Sequence, residues 1–350
     1  MEYGLIGGRL GHSYSKVIHE MLCGYRYDLC PLPTEEEVRA FMTRRQFRAI
    51  NVTIPYKLVV MEYCSYIDPH AKAINAVNTI VNRNGLLYGY NTDYPGFSYL
   101  CDAHGVEFKD RTVLILGTGG THNTTWAVAH DRGAKQIYTV SRHPDPEKGE
   151  LTYAQALTTG AQIIINTTPV GMAPQSGVSP LDLRQFPRCK GVADVIYNPL
   201  RTRLCQQAAE LGIPACGGLL MLAAQAAAAE YAFGMAVPGE ETVLRVYREL
   251  LAERRNLVFI GMPGSGKTTI GRLAAQMLER EFIDCDEEYL LEYGITPEGE
   301  LLAHGELYFR EREEALLRKL SPKTGCVIAA GGGAILREEN VEALRENGLL

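Results

Sequence analysis

Two glycine-rich loops constrain the fold of this chain more than any other feature, because each one directly follows a short apolar run. The apolar residues 113–116 lead into Gly-Thr-Gly-Gly at residues 117–120. A loop of this kind joins a strand to a helix and holds a dinucleotide pyrophosphate at the helix N-terminus. The sequence therefore predicts an α/β protein with at least one nucleotide site.

The second loop is of a different kind. It follows the apolar residues 257–260, and residues 261–268 fit G-x-x-x-x-G-K-[ST] at every defined position. Such a loop wraps a nucleoside triphosphate and brings its lysine to the terminal phosphates. Hydride transfer and phosphoryl transfer are thus both candidate chemistries, in separate modules.

Composition narrows the class of protein. A length of 350 residues favours two or three domains, and a net charge of −6 argues against nucleic acid as the main partner. The sequence has no signal peptide and no apolar run of about 18 residues, so we expect no membrane partner and a cytoplasmic location. The nine cysteines never form a C-x-x-C pair, which favours reduced thiols over a zinc site or disulfides.

The apolar patterns predict three domains. Strands at 3–6 and 49–54, with helices at 16–23 and 35–43, form an α/β substrate domain over residues 1–100, which helices within about 217–252 complete. Strands at 113–116, 136–140, 163–166 and 191–196 form a Rossmann-type nucleotide domain over residues 101–216. Residues 255–350 form a third domain, shorter than the roughly 100–150 residues that are typical, so we expect it to be incomplete.

Four polar clusters precede the first glycine loop, at residues 13–15, 51–57, 76–79 and 91–93. Reduction of a ketone needs a proton donor at the oxygen, and a lysine oriented by a carboxylate is one solution. Hydroxyls and amides suit a substrate with a carboxylate and several hydroxyls. Taken singly, each cluster is equally typical of a turn or a helix cap; their order and spacing favour a substrate site.

The clusters resemble the motifs of the shikimate dehydrogenase family over residues 3–252. The matching segments are S-x-S at 13–15, N-V-T-x-P-x-K at 51–57, N-T-D at 91–93, and the later segments 165–172 and 194–199. The resemblance implies NADPH-dependent reduction of 3-dehydroshikimate to shikimate, with Lys57 and Asp93 as the catalytic pair. It further implies that shikimate contacts Ser13, Ser15, Asn51, Thr53, Asn78, Tyr197 and Gln225.

The same resemblance implies a set of cofactor-binding residues: Gly117, Thr118, Gly119, Gly120, Thr121, Ser141, Arg142, Thr168 and Gly218. An NAD domain would place an acidic residue near position 142, so Arg142 favours the extra phosphate of NADP. Pro146 occupies the place of a second basic residue, with Lys148 as its alternative. His122 replaces the third glycine of G-x-G-x-x-G, and Asn75 replaces a usual glycine but tolerates a left-handed conformation.

The third domain resembles shikimate kinase. The resemblance implies an ATP site at Gly264, Ser265, Gly266, Lys267, Thr268 and Thr269, with Mg²⁺ held by Thr268 and Asp284. It implies shikimate contacts at Asp286, Arg310 and Gly332, although Arg310 is equally typical of an exposed mixed-charge helix surface. The lid and later arginines of that family lie beyond the matching region, so we expect weak kinase activity or none.

The sequence therefore predicts a bifunctional enzyme with a shortened kinase part. One alternative is a quinate/shikimate dehydrogenase of broader specificity, although Ser15 favours shikimate over quinate. A second alternative is that the kinase-like part is a nucleotide-binding appendage without catalysis. An oligomer is possible under each of these hypotheses.

Overall fold

The computed structural model describes residues 1–11 and 13–350, so His12, which precedes the first polar cluster, lies outside the described residues. The chain divides into two compact units. The first unit comprises Met1–Thr168, Leu181–Val195 and Ala208–Arg248, and the second comprises Pro169–Pro180, Ile196–Gln207 and Glu249–Leu350. No helix within the described residues is long and apolar enough to cross a membrane.

A six-stranded mixed sheet, in the order β2-β1-β3-β5-β6-β4, begins the first unit. Its strands are β1 (Tyr3–Gly7), β2 (Asp28–Pro31), β3 (Ala49–Val52), β4 (Tyr66–Ile67), β5 (Thr79–Arg83) and β6 (Leu86–Tyr90), and its helices are α1 (Ser15–Cys23), α2 (Glu35–Arg44) and α3 (Pro69–Ile74). The strands and helices predicted here are confirmed to within two residues. The strand predicted at 49–54 is shorter, because residues 53 and 54 enter the turn that contains Pro55.

Helix α2 illustrates how local sequence sets an element boundary. Thr34 accepts a hydrogen bond from the backbone of Glu37, and the Glu37 carboxylate accepts one from the backbone of Thr34. This capping box satisfies two free N–H groups at the start of the helix. The acidic first turn also interacts favourably with the helix dipole.

The second sheet of the first unit is parallel throughout, in the order β11-β10-β9-β7-β8. Its strands are β7 (Thr112–Leu116), β8 (Gln136–Val140), β9 (Ile163–Asn166), β10 (Gly191–Asp194) and β11 (Ala215–Cys216). The chain moves from β7 outward to β8 and then returns to β9 on the other side of β7. This reversal creates a crevice at the carboxyl ends of β7 and β9, where ligands bind in open α/β sheets.

The helices of this region continue the numbering in chain order: α4 (Asp93–Ala103), α5 (His122–Asp131), α6 (Tyr153–Ala156), α7 (Arg203–Glu210), α8 (Leu219–Phe233) and α9 (Glu240–Arg254). Helix α4 packs closely against α8. A Cβ atom added to Gly96 would lie 2.8 Å from the Cβ of Gln225. The missing side chain at Gly96 therefore fixes how near Gln225 lies to the start of α4.

The second unit contains a four-stranded parallel sheet in the order β13-β14-β12-β15. Its strands are β12 (Asn256–Phe259), β13 (Phe282–Asp284), β14 (Val327–Ala329) and β15 (Gly348–Leu349), and its helices are α10 (Lys267–Leu278), α11 (Cys285–Tyr293), α12 (Pro297–His304), α13 (Glu306–Leu320) and α14 (Glu338–Arg345). Because β15 pairs with β12, the segment after α14 already contributes a short strand. The predicted boundaries of the three domains remain a prediction.

Candidate functional site

A short ion pair lies at the centre of the polar clusters in the first unit. Lys57 follows β3, Asp93 begins α4, and the lysine Nζ donates to the carboxylate Oδ2 over 2.6 Å. The side chains are 16% and 12% exposed. A charge-assisted hydrogen bond of this kind holds the ammonium group in one position while leaving it two further N–H donors.

The start of α4 is tied to the segment at residues 76–79. The backbone N–H of Thr92 donates to Oδ1 of Asn78 over 2.7 Å, and Nδ2 of Asn91 donates to the carbonyl of Ala76 over 2.9 Å. The backbone N–H of Val77 donates to the carbonyl of Lys57 over 2.9 Å. These bonds join three of the four predicted clusters, so the structure brings Lys57, Asn78 and Asp93 together.

Three buried amide side chains surround this junction. Asn51 accepts from the hydroxyl of Tyr27 over 2.7 Å and donates to Oγ1 of Thr79 over 3.0 Å. The hydroxyl of Thr92 donates to Oε1 of Gln225 over 3.4 Å. Within the described residues, the Nδ2 of Asn78 has no hydrogen-bond partner, so this nitrogen is a donor available to a ligand.

The remaining predicted substrate residues are at three places. Ser13 accepts a hydrogen bond from the backbone N–H of Ser15 over 3.3 Å at the start of α1. The backbone of Thr53 donates to the carbonyl of Ile6 over 2.9 Å, which places Thr53 beside the carboxyl end of β1. Tyr197 lies in the second unit, where burial raises the pKa of its hydroxyl.

The first glycine loop fits the dinucleotide site that the sequence predicts. Gly117 has φ 95°, a conformation that side chains rarely adopt. A Cβ atom at this position would lie 2.8 Å from Cγ2 of Thr168 at the end of β9. The loop thus lies in the crevice between β7 and β9, and its backbone leads into the N-terminus of α5, where a pyrophosphate binds favourably.

Lys57 and the first glycine loop follow strands of different sheets but belong to neighbouring segments. A Cβ atom added to Gly120 would lie 3.8 Å from the side chain of Ile54, three residues before Lys57. Thr121 and His122 follow at the start of α5, and Nε2 of His122 is 2.8 Å from Oγ1 of Thr139. His122, in the place of the third glycine, is therefore held against β8.

Arg142 and Lys148 were both candidates to bind the extra phosphate of NADP, and they differ in whether a neighbouring carboxylate already pairs with them. Arg142 is exposed and makes no hydrogen bond or ion pair with any described residue. Lys148 forms an ion pair with Asp145 over 2.9 Å, which raises the pKa of this lysine and lowers that of the aspartate. Ser141 accepts from the backbone of His143 over 3.2 Å, which fixes the turn that carries Arg142.

Two smaller predictions concern backbone conformation. Asn75 ends α3 with φ 58° and ψ 41°, so it adopts the left-handed conformation that asparagine tolerates. Gly218 precedes α8 with φ −68°, a value that any residue adopts. The backbone conformation at position 218 therefore does not require glycine.

The second glycine loop lies between β12 and α10 in the second unit. Lys267 donates to the carbonyls of Gly261 and Met262 over 2.9 and 3.0 Å. The hydroxyl of Thr268 donates to Oδ2 of Asp284 over 2.8 Å. Hydroxyl and carboxylate oxygens are the ligands that Mg²⁺ prefers, so the donor set fits the predicted metal site.

A second cluster lies next to this loop. A Cβ atom added to Gly332 would lie 2.6 Å from Pro263 of the glycine loop, and one added to Gly333 would meet the guanidinium of Arg310. A Cβ atom added to Gly331 would lie 3.3 Å from Oδ1 of Asp286. The structure thus brings together Asp286, Arg310 and Gly332, all three of the predicted kinase-substrate residues.

Arg310 is not part of an exposed mixed-charge surface, so that alternative is wrong for this residue. Its side chain is only 15% exposed and pairs over 2.8 Å with Glu313, which is 7% exposed. Burial raises the pKa of Glu313, while Arg310 opposes that shift. Burial, together with the nearby Asp284, also raises the pKa of Asp286.

The sequence analysis missed Tyr27 and Glu313, which hold predicted site residues. Tyr27 belongs to no motif, and Glu313 lies in a helix of alternating charges. Their partners Asn51 and Arg310 were predicted, but the pairing depends on contacts between separate segments. No sequence signal in a single chain reveals such contacts.

The first unit has a lysine–aspartate pair beside a parallel sheet whose crevice carries a dinucleotide loop. These features define a dinucleotide-dependent oxidoreductase, and the second unit has the features of a phosphate-loop kinase. Comparisons with known proteins agree: residues 5–80 match the family model of the shikimate dehydrogenase substrate binding domain, and residues 263–350 match that of shikimate kinase.

Similar proteins come from several bacteria. The shikimate dehydrogenase (NADP(+)) of Clostridium beijerinckii is 36% identical over 242 residues, which cover 65% of this chain and 90% of that protein. A Clostridium acetobutylicum chorismate mutase/shikimate 5-dehydrogenase fusion has a TM-score of 0.66 and 35% identity, covering 71% of this chain and 96% of its own. The Thermus thermophilus shikimate 5-dehydrogenase, solved with NADP(H) and shikimate, has a TM-score of 0.64 and 28% identity, covering 71% and 99%.

The chain therefore belongs to the shikimate dehydrogenase family. Its C-terminal residues 263–350 are a shikimate kinase segment, so the two families occur in one polypeptide. The predicted family membership, fold class and fusion are confirmed.

Proposed function

We propose that this chain is a bifunctional enzyme that reduces 3-dehydroshikimate to shikimate with NADPH and carries an ATP-dependent shikimate kinase. One observation carries the first part: the 2.6 Å Lys57–Asp93 pair lies on the segment that also contacts the dinucleotide loop through Ile54 and Gly120. A proton donor and a hydride donor must both reach one carbonyl group, so they have to lie in neighbouring segments.

The reaction adds a hydride to the ketone carbon and a proton to its oxygen, so the C=O group becomes CH–OH. NADPH, when bound, supplies the hydride. The ammonium group of Lys57 donates the proton and is left as a neutral amine, which solvent reprotonates. The carboxylate of Asp93 keeps that amine aimed at the oxygen throughout.

The substrate side of the proposal is supported by the polar groups around Lys57. Nδ2 of Asn78 is an available donor, and Gln225, Thr53 and the serines at 13 and 15 add amide and hydroxyl groups. A polyhydroxylated carboxylic acid needs this kind of mixed donor and acceptor surface. Tyr197 remains a proposed contact of the same substrate.

NADP is proposed over NAD because Arg142 offers an exposed guanidinium, with no hydrogen bond or ion pair to any described residue, in the turn after β8. A guanidinium binds a phosphate through paired hydrogen bonds, which a ribose hydroxyl does not match. The backbone of residues 117–120 and the side chains of Thr121 and Thr168 would hold the rest of the cofactor.

In the second unit, residues 261–269 would hold ATP, and the oxygens of Thr268 and Asp284 would hold Mg²⁺. Lys267 would leave the carbonyls of Gly261 and Met262 for the β- and γ-phosphates. Arg310 would bind the shikimate carboxylate and Asp286 a ring hydroxyl. The expectation of weak kinase turnover stays a prediction, and a coupled assay with ATP and shikimate tests it.

The most direct test is shikimate oxidation followed at the absorbance of the reduced cofactor, with NADP and then with NAD. We expect turnover with a higher kcat/KM for NADP. Quinate run in parallel decides between the proposed enzyme and a quinate/shikimate dehydrogenase of broader specificity. Absence of turnover with either acid and either cofactor would contradict the proposal.

A further inference from the structure

A polar cluster whose members are buried, except for the partly buried Tyr25, lies behind the substrate residues of the first unit. It consists of His19 from α1, Glu230 from α8, and the tyrosines at 25 and 27 between α1 and β2. Nδ1 of His19 is 2.5 Å from Oε1 of Glu230, and the hydroxyl of Tyr25 donates to the same oxygen over 2.7 Å. The ring of Tyr27 stacks on that of His19 with centroids 4.1 Å apart and planes at 4°.

Tyr27 connects this cluster to the substrate residues. The tyrosine is completely buried, and its hydroxyl donates to Oδ1 of Asn51 over 2.7 Å. Burial raises the pKa of Tyr27 well above its ordinary value, so the hydroxyl keeps its proton and acts as a donor. The atom of Asn51 that faces Tyr27 must then be its oxygen, since an amide nitrogen would not accept the bond.

Two contacts set the orientation of Asn78: the backbone N–H of Thr92, which can only donate, and the hydroxyl of Thr79, which Asn51 orients. With its oxygen toward Tyr27, Asn51 directs Nδ2 to Oγ1 of Thr79, which accepts over 3.0 Å. The hydroxyl of Thr79 is then free to donate to Oδ1 of Asn78, also over 3.0 Å. Oδ1 of Asn78 already accepts from the backbone of Thr92, so the Nδ2 of Asn78 remains as the group available to the substrate.

We propose that Tyr27 is a positioning residue that fixes, through Asn51 and Thr79, the hydrogen-bond donor that Asn78 presents to an oxygen of the hydroxy-acid substrate. This inference rests on the proposed function, because it assumes that the substrate binds beside Asn78. Tyr27 itself is buried away from the ligand, so its effect is on substrate affinity and not on the proton or hydride step.

Tyr25 provides a matched control within the same cluster. Its hydroxyl donates to Glu230 and lies 3.1 Å from His19, and it makes no bond to Asn51. Tyr25→Phe and Tyr27→Phe remove the same atom from the same aromatic group of residues. Only Tyr27→Phe interrupts the path to Asn78.

The experiment measures kcat, KM for shikimate and KM for NADP in the full chain and the two variants, together with the shikimate Kd by calorimetry. For Tyr27→Phe we expect KM and Kd for shikimate to rise about tenfold, the effect of roughly one hydrogen bond. The kcat and the KM for NADP should stay within about twofold, as should all constants of Tyr25→Phe.

Unchanged shikimate affinity in Tyr27→Phe, or an equal loss in both variants, would overturn the inference. If the original chain binds shikimate without turnover, the catalytic proposal fails but the Kd values still test Tyr27. If the original chain neither binds nor oxidises shikimate, both proposals fall. If Tyr27→Phe does not fold, two variants of Thr79 replace it in the test. Thr79→Val should raise the KM for shikimate about as much as predicted for Tyr27→Phe, whereas Thr79→Ser, which keeps the hydroxyl, should leave that KM near the original value. Equal KM values for shikimate in these two variants would overturn the inference.

Discussion

Lys57 and Asp93 are 36 positions apart, and each depends on a different local structure for its place. Lys57 lies in the turn after β3, and its carbonyl accepts from Val77. Asp93 is placed by the start of α4, where Asn91 accepts from the backbone of Tyr94 over 3.2 Å. The proposed chemistry needs both side chains, so it is sensitive to each of these backbone contacts.

Substitution of Lys57 by alanine tests the proton donor. We expect kcat for shikimate oxidation to fall by about 10²–10⁴, the usual contribution of a general acid or base, with a smaller change in KM for NADP. Lys72→Ala is the control, because Lys72 is an exposed lysine on α3. Steady-state rates of the two variants show whether Lys57 is the proton donor. Undiminished activity in Lys57→Ala would remove this lysine from the mechanism.

Substitution of Arg142 by alanine tests the choice of cofactor. The KM for NADP should rise about tenfold to a hundredfold, the loss of one charged hydrogen-bond partner, while the KM for NAD stays nearly constant. Lys148→Ala is the matched control, since Lys148 is paired with Asp145. A larger effect from Lys148→Ala would show that the alternative cation binds the phosphate.

At the scale of elements, α1 and α8 meet through buried polar groups as well as apolar ones. His19 and Glu230 are both completely buried, and the aromatic rings of Tyr27 and Phe233 stack on the histidine. A buried carboxylate is tolerated only when its partners are in place. The packing of these two helices is therefore specified by hydrogen-bond partners as well as by shape.

Replacement of Glu230 by alanine should lower the free energy of unfolding of the first unit by about 3–5 kcal/mol, because it removes one partner of a buried pair. His19 and Tyr25 would lose their shared acceptor. Glu241→Ala is the control, since Glu241 is exposed in the first turn of α9 and should change stability by no more than about 0.5 kcal/mol. Urea denaturation of both variants provides the measurement, and equal midpoints would contradict the prediction.

At the scale of the whole molecule, the two units contain different proportions of exposed apolar surface. Helix α10 of the second unit exposes Ile270, Leu273 and Met277 by 54%, 57% and 77%. These residues recur at helical spacing, so they form one apolar stripe on α10. The second unit therefore gains less stabilising free energy from burying apolar surface than its composition would allow.

Limited proteolysis tests this difference. We expect the first cuts between residues 249 and 350, because a less stable unit opens more often. A product close to residues 1–248 should persist. Mass spectrometry of the fragments identifies the cuts, and equal resistance of the two parts would count against the prediction.

ATP and NADP should each protect a different unit from proteolysis. ATP with Mg²⁺ at about a hundred times its Kd should stabilise the second unit by about 2.7 kcal/mol, and Lys267→Ala should abolish that effect. NADP should protect the first unit in both proteins. Protease protection with each nucleotide gives the readout, and ATP protection that survives Lys267→Ala would exclude the proposed loop.

The sequence by itself determined the elements and their chemistry. Apolar runs and glycine loops predicted β7, β12 and the helices after them, because these signals are local and repeat at the spacing of a strand or a helix. The motifs also predicted Lys57, Asp93 and the kinase-substrate residues, since each motif is a short segment with a fixed order.

Only the tertiary structure decided which of these residues meet and in what environment. Tyr27 holds Asn51, Glu313 holds Arg310, and residues 169–180 and 196–207 group with the second compact unit. Such contacts join residues far apart in the chain, and they depend on burial and on matching each donor with an acceptor. Local patterns determine what a segment becomes, whereas packing determines which neighbour completes it.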